Sequence, residues 1–276
     1  MDEIETRILI TGGHGFLGSN LIHQLEHDGA THLAITHDVL EDYSMLKPIV
    51  DTFKPSAIVH LAAYGNLIHQ QEDDKIIQAN ITNLHNLLKA TKDIEYEIFV
   101  NVSTSSVNLP VQTMYSATKS AGEKLCQAYA TKYQKQIVSI RPYTVIGIGE
   151  PEEHLIPTLI RSCLEGEKMR FVGSPVHDFI GVNDFIDAIR LIIQNYNFSG
   201  VVEVGTGIQT SNEQVLSIVE KVTGKKANIT RVDNMRSYDT KTWVADPTLI
   251  KSLGWEQKET ITDIVEKMVY GDSELN

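Results

Sequence analysis

The run Arg7-Ile8-Leu9-Ile10-Thr11-Gly12-Gly13-His14-Gly15-Phe16-Leu17-Gly18 decides how the chain folds. Its first five residues have strand character, a glycine cluster follows, and from Phe16 the apolar positions Phe16, Leu17, Leu21 and Leu25 recur at helical spacing. The reading is strand, tight turn, helix. Glycine at 12 permits the turn, glycine at 15 lets the backbone approach a pyrophosphate, and glycine at 18 allows the helix to pack closely on the strand. The helix N-terminus then turns its unpaired amides and partial positive charge toward the phosphates. By itself a G-x-x-G-x-x-G spacing is common. Placed between a first strand and a first helix, it predicts a dinucleotide site.

Working outward, apolar runs recur at 33–36, 57–62, 98–103, 137–140 and 201–204, with helical patterns such as 75–92 and 116–133 between them. Strands alternating with helices predict an α/β fold, a Rossmann-type doubly wound parallel sheet covered on both faces. Beyond Gly149 the punctuation changes, with Pro151, Pro157, Gly166, Gly173 and Pro175 breaking the chain into shorter elements. The expected organisation is a dinucleotide-binding domain over 1–150. A smaller substrate-binding lobe is expected over 151–276, with about 178–205 returning to the main sheet.

Composition sets the outer limits. With 22% charged residues and no run of 18 apolar ones, the chain reads as a cytoplasmic protein without a membrane span. Three carboxylates before Arg7 are the opposite of a basic secretory start. A net charge of −12 and the lack of clustered Lys and Arg argue against nucleic acid as a partner. Cys126 and Cys163 have no metal-ligand spacing and are expected to be buried or partly buried free thiols. His23 and His27 stand at i, i+4 on the first helix without a third ligand, and no metal site is assigned. His14 and His60 are read as packing and hydrogen-bonding residues.

A carboxylate about 20 residues past the glycine loop is expected to meet an adenosine ribose, and Asp38 is the nearest candidate. It could equally open the next element and lie near the adenine. Between Arg7 and Lys47 there is no Lys or Arg to clamp a 2′-phosphate, which favours NAD over NADP.

The second motif is Tyr115-Ser116-Ala117-Thr118-Lys119. Residues i and i+4 share a helix face, so phenol and ammonium point into the same space. A tyrosine near pKa 10 is a poor acid–base catalyst at neutral pH, and a neighbouring ammonium together with an oxidised nicotinamide would stabilise its phenolate. Eleven residues before Tyr115, the run Val102-Ser103-Thr104-Ser105-Ser106 ends an apolar strand, where such sheets place their ligands. A hydroxyl there can hydrogen-bond the substrate oxygen whose proton the tyrosine handles.

With these motifs stand His60-Leu61-Ala62-Ala63, Asn80-Ile81-Thr82-Asn83-Leu84, Arg141-Pro142-Tyr143-Thr144-Val145-Ile146-Gly147, His177-Asp178-Phe179, Val204-Gly205-Thr206-Gly207 and Leu253-Gly254-Trp255. In that order, over nearly the whole chain, they resemble the extended, nucleotide-sugar-modifying branch of the short-chain dehydrogenase/reductases. The resemblance implies Tyr115 as general acid or base, Lys119 as its partner and a ribose ligand, and Thr104 as the substrate-orienting hydroxyl, with Ser105 its understudy. It implies a pyrophosphate held by Gly12, Gly15, Phe16, Leu17 and Gly18, and an adenosine end at Asp38 and Val39. Leu61, Ala62 and Ala63 would meet the cofactor's middle, and Pro142, Tyr143 and Val145 its nicotinamide end, with Val102 a further cofactor contact. Thr144, His154, His177 and Arg236 would face the substrate, Arg236 gripping its pyrophosphate. A homodimer through the helices at 75–92 and 116–133 is implied as well.

Departures narrow the expectation. The segment after the first helix is short, compressing the usual second strand and its loop, as in dTDP-4-dehydrorhamnose reductase-like enzymes. Ser105 and Ser106 follow Thr104 where sugar 4,6-dehydratases carry acids, which disfavours dehydration. Thr144, His154 and His177 replace frequent Asn, Asn and Arg, so the standard UDP-glucose or UDP-galactose assignment does not transfer. The expected activity is NAD(P)-dependent hydride transfer on a nucleotide-linked sugar, most simply 4-keto reduction, with 4-epimerisation on retained NAD as the alternative. A non-catalytic cofactor-binding scaffold or redox sensor is the alternative of another class.

Overall fold

The computed structural model describes residues 6–195, 198–233 and 242–271. They form two compact units, one of residues 6–141 with Ile189–Val202, the other of Pro142–Ala188 with residues 203–271.

The first unit is built on β1 (Ile8–Thr11), α1 (Phe16–His27), β2 (His32–Ile35), α2 (His37–Glu41), α3 (Tyr43–Phe53) and β3 (Ala57–His60). It continues through α4 (Asp73–Ile77), a π-helical turn (Gln78–Thr82), α5 (Asn83–Thr91), β4 (Ile98–Val102), a short 3₁₀ helix (Ser105–Asn108), α6 (Met114–Tyr133) and β5 (Ile137–Pro142). Strand order in the sheet is β2-β1-β3-β4-β5, with β9 (Gly200–Val204) beyond β5. The pairs β1 with β2, β1 with β3, β3 with β4 and β4 with β5 are parallel.

β1, β3 and β4 are buried along their full length, which explains why they read as unbroken apolar runs rather than alternating ones. Among the described residues only β2 lies on that side of β1, and α2 and α3 carry the chain straight back to the other side. This is the compressed second-strand region that the short segment after α1 predicts. Order therefore reverses at β1, and the crevice outside the carboxyl ends of β1 and β3 is where such sheets take ligands. Leu9, Ile58, Leu87, Leu88 and Phe99 form the core with Cys126, a buried free thiol like Cys163.

Where sequence periodicity predicts one helix over 75–92, the chain makes α4, the π turn and α5. The buried Asn80 explains the interruption. Its Nδ2 donates to the Tyr64 carbonyl at 2.8 Å and to Thr118 Oγ1 at 3.0 Å, and its Oδ1 accepts from the Tyr64 amide at 3.0 Å. The widened turn thus carries a side chain bonded out of the helix, to the backbone at Tyr64 and to Thr118 of the helix at 114–133.

The second unit contains β6 (Thr144–Ile146), α7 (Leu155–Leu164), β7 (Met169–Phe171), β8 (Val176–Gly181) and most of α8 (Val182–Gln194). After β9 come β10 (Gln209–Ser211), α9 (Asn212–Thr223), β11 (Ile229–Arg231), α10 (Thr248–Ser252) and α11 (Ile261–Tyr270). β10, β8 and β6 form one small sheet and β11 with β7 another. Of the stretch 178–205, β9 joins the large sheet, whereas β8 belongs to the small one. Fully buried Asp178 knots this unit. One carboxylate oxygen accepts from the amide and hydroxyl of Thr206, the other from the amides of Gly207 and Ala245. Asp184 accepts from the Lys258 and Glu259 amides, and the buried Trp255 donates from Nε1 to the Asp184 carbonyl.

Two strand ends in the first unit are joined by side chains. His60 is buried, with Nδ1 2.7 Å from Thr11 Oγ1. Burial, and next the charge of Lys119, push its pKa down to about 3, so the imidazole is neutral. As pH falls from about 6.5 toward about 3, the unfolded chain takes up a proton that the folded one refuses, and stability falls at up to about 1.4 kcal/mol per pH unit from this residue. His60→Gln should flatten that acid limb in urea titrations between pH 6.5 and 4. The glycines give a second test. A Cβ at Gly18 would lie 2.1 Å from the Gly12 carbonyl oxygen, whereas one at Gly15 would meet that atom only at 3.4 Å. Gly18→Ala should cost roughly 3 kcal/mol or more, and Gly15→Ala should leave the melting temperature nearly unchanged.

Candidate active site

Gly12 turns the chain at φ +74°, and a Cβ there would lie 2.6 Å from the Ala62 amide nitrogen. The first loop thus runs against the second, backbone on backbone. Thr11 ties them, its carbonyl accepting from the Leu61 amide at 3.1 Å and its hydroxyl from the Ala62 amide at 3.3 Å. Gly15, exposed, precedes α1 and offers no capping side chain, and the first turn of α1 carries no acid. That leaves a cationic helix end with room above it, suited to a phosphate. Gly13, given no task by sequence reasoning, would bring a Cβ to 2.7 Å from Ile22 Cδ1, the movable end of that side chain, and to 3.1 Å from Ala34 Cβ. Asp38 is exposed in the first turn of α2, and Val39 behind it packs on the core. Leu61 and Ala62 are half-buried and Ala63 is exposed. His23 and His27 are exposed on α1.

Thr113 opens α6 through a capping box, its hydroxyl accepting from the Ser116 amide at 3.1 Å while Ser116 Oγ accepts from the Thr113 amide at 2.8 Å. The helix therefore begins two residues before the sequence pattern suggests, and Tyr115 falls in its first turn, beside the positive end of the helix dipole. Tyr115 is half-buried, with the Thr104 side chain beside its phenol. Burial pushes the phenol up to about 12, with Thr104 pulling the other way. Lys119, buried one turn later, donates from Nζ to the Val102 carbonyl at 2.6 Å. Burial brings its pKa down to about 8, opposed by Cys126 and Glu123. The ammonium is thus engaged by the strand end rather than by the phenol. Thr104 caps the short helix Ser105–Asn108, accepting from the Ser106 amide at 3.2 Å, and Ser105 is buried within it.

The structure thus brings Val102, Thr104, Tyr115 and Lys119 together, with Ser105 next in the chain. Thr118, whose hydroxyl takes the Asn80 bond, locks the intervening helical turn to the π turn. Asn80 appeared in sequence only as part of a motif. So did Arg141, whose guanidinium grips Glu123 of α6. The signal for both was a polar residue set in an otherwise apolar, core-facing stretch.

In the second unit Pro142 is buried and Val145 half-buried, and the Tyr143 hydroxyl donates to Glu203 at 3.1 Å. Thr144 Oγ1 lies 3.3 Å from His177 Nδ1, and the His177 ring stands 5.5 Å from those of Phe179 and Trp243. His154 is not part of this cluster of contacts; its Nδ1 meets buried Glu150 at 3.2 Å. Burial raises the Glu150 carboxyl above the usual range, with the His154 hydrogen bond opposing. Arg236 lies outside the described residues.

Among the described residues no helix is long and apolar enough to cross a membrane. The chain is 27% identical to a UDP-glucose 4-epimerase of Lactobacillus helveticus, covering 94% of each protein. It is also 27% identical to a GDP-6-deoxy-D-talose 4-dehydrogenase of Aggregatibacter actinomycetemcomitans, over 95% of this chain and 96% of that one. Among solved structures, MoeE5 in complex with UDP-glucuronic acid and NAD superposes with a TM-score of 0.83 at 26% identity, covering 94% of this chain and 96% of that one. Residues 8–205, from β1 to the end of the large sheet, match the family model for the NAD dependent epimerase/dehydratase family, and the chain belongs to that family.

Proposed function

We propose that the protein is an NAD-dependent oxidoreductase that reduces the 4-keto group of a nucleotide-linked sugar. The carrying observation is the contact set Thr104–Tyr115 and Lys119–Val102, followed from Ser105 to Met114 by neutral side chains alone. Hydride transfer between carbon and nicotinamide needs one proton moved at the neighbouring oxygen, and Tyr115 is placed for that. Elimination of water needs a further acid and base, and this stretch carries neither. The relatives named above, a 4-epimerase and a 4-dehydrogenase acting on nucleotide sugars, support the substrate class.

The glycine loop and the α1 N-terminus fit a pyrophosphate, since the space over Gly15 is one that a Cβ would intrude on. Asp38 would take the adenosine ribose, and its charge would repel the 2′-phosphate of NADP. Bound in this cradle, the reduced nicotinamide supplies the hydride. Thr104 holds the ketone oxygen. Tyr115 keeps its proton throughout the neutral range and delivers it to that oxygen as negative charge builds there. Lys119 carries positive charge below about pH 8 and limits the cost of the phenolate left behind. Turnover should therefore decline as pH rises through about 8, where the ammonium is lost.

Epimerisation is the second reading, favoured by the epimerase among the relatives. There Tyr115 would first accept and then return the proton. Two incubations separate the readings: a nucleoside-diphosphate 4-keto-6-deoxy sugar with NADH, where a reductase consumes NADH one for one over many turnovers, and a nucleoside-diphosphate 4-hydroxy sugar with NAD⁺, where an epimerase interconverts the C4 epimers and leaves the cofactor total unchanged. Tyr115→Phe should lower kcat by roughly 10²- to 10⁴-fold while NAD still binds. Unchanged function in that variant would instead make the protein a non-catalytic scaffold.

A further inference from the structure

Arg141 bonds through its side chain to two segments of the proton-transfer site, α6 and the short helix that Thr104 caps. Its Nε donates to Glu123 Oε1 at 2.9 Å, one terminal nitrogen to Glu123 Oε2 at 2.7 Å, and the other to Asn108 Oδ1 at 3.0 Å. Glu123 is buried and lies one helical turn beyond Lys119, on the same face of α6. Asn108 ends the short helix that Thr104 begins. Arg141 itself follows Ile140, which pairs with Val102 across the ladder and accepts from the Ser103 amide at 2.7 Å. The connections close a ring: from Arg141 through Glu123 to Lys119, from Lys119 to the Val102 carbonyl, and across the β4–β5 ladder back to Arg141. A branch through Asn108 reaches Thr104, whose side chain lies beside Tyr115.

We infer that the Glu123–Arg141–Asn108 bracket is a positioning device, setting how α6 sits against β5 and so where Tyr115, Lys119 and Thr104 stand relative to one another. The inference rests on reading Tyr115 and Lys119 as the proton-transfer pair. A buried ion pair contributes little net stability over an apolar pair of the same volume, so its retention at this point is better explained by geometry. The two-pronged guanidinium–carboxylate contact fixes distance and orientation together, which a single contact does not. It also has an electrical side. The titratable groups that act on Lys119 are Cys126 and Glu123 from α6 and His60 from β3, with Tyr115 one turn before it on α6 and Arg141 of β5 behind Glu123. Among them Cys126 and the Glu123 carboxylate favour the charged ammonium, and of the two Glu123 is the one held by Arg141.

Three variants test this: Glu123→Gln, Arg141→Lys, and the double change Glu123→Leu with Arg141→Met, which removes both charges of the pair together. Each should lower kcat by roughly tenfold to a hundredfold with KM for the nucleotide sugar held within about twofold. Glu123→Gln should also move the alkaline limb of the kcat profile to lower pH, whereas Arg141→Lys, which keeps both charges but not the fork, should leave that limb in place. A second readout needs no turnover. The Tyr115 phenolate, followed in the near ultraviolet with NAD⁺ present as wild type minus Tyr115→Phe, should form at higher pH in Glu123→Gln. A folded double variant with wild-type kcat, pH limb and phenolate signal would overturn the inference, and so would unfolding of all three, which would make the bracket structural only. The underlying reading fails by a different result, a Tyr115→Phe protein with wild-type turnover and no missing phenolate signal.

Discussion

The rest of the first unit is referred to the point where Gly12 passes Ala62 with no side chain between the two backbones. Contact this close exists only where the chain lacks a Cβ, and it fixes the spacing of the loops that leave β1 and β3. Because the sheet reverses its order at β1, those two loops flank its crevice. The Thr11 hydroxyl, bonded to the Ala62 amide and to His60, holds the contact in register. Gly18 repeats the principle on the other side of the loop, where the helix backbone rests on Gly12 itself. The shape of the cradle is therefore set by three backbone segments, with side chains only closing it.

Around the strand ends, burial acts on several titratable groups at once. It holds His60 neutral, raises the Tyr115 phenol to about 12 and lowers Lys119 to about 8. Each shift moves toward the uncharged form, as loss of water dictates. A pocket wall that resists holding charge of its own responds strongly to charge that develops within it, since a poorly screened dipole or ammonium acts at nearly full strength. Thr104, Lys119 and the first turn of α6 are the groups placed to supply that response.

Much of this was legible in the amino-acid order because it depends on local rules. Glycine spacing, unbroken apolar strands and the i, i+4 pair on α6 each follow from backbone geometry, and together they gave the parallel sheet, the loop and the Tyr115–Lys119 face. What escaped depends on contacts distant in sequence. The pattern over 75–92 is continuous at 3.6 residues per turn, and only the Asn80 side chain, bonded to Tyr64 and Thr118, reveals why the helix widens there. The partnership of Glu123 with Arg141 spans 18 residues and two elements, so neither residue announces the other. The early start of α6 came from a Thr113–Ser116 box, a weaker capping signal than one with Glu or Gln at the fourth place.

The first unit is not a continuous piece of chain: its sheet takes β9 from residues that come after β6, β7, β8 and most of α8. A fragment ending near residue 150 would contain every residue of the glycine loop and of the Tyr115 helix, yet it would expose the unpaired backbone edge of β5. β5 is almost wholly buried and carries no proline before its last residue, so that edge has few of the features that discourage strands from pairing with a neighbouring molecule. The edge of the first unit is therefore covered only by the whole chain, and ribosomal synthesis has to reach β9 before that happens.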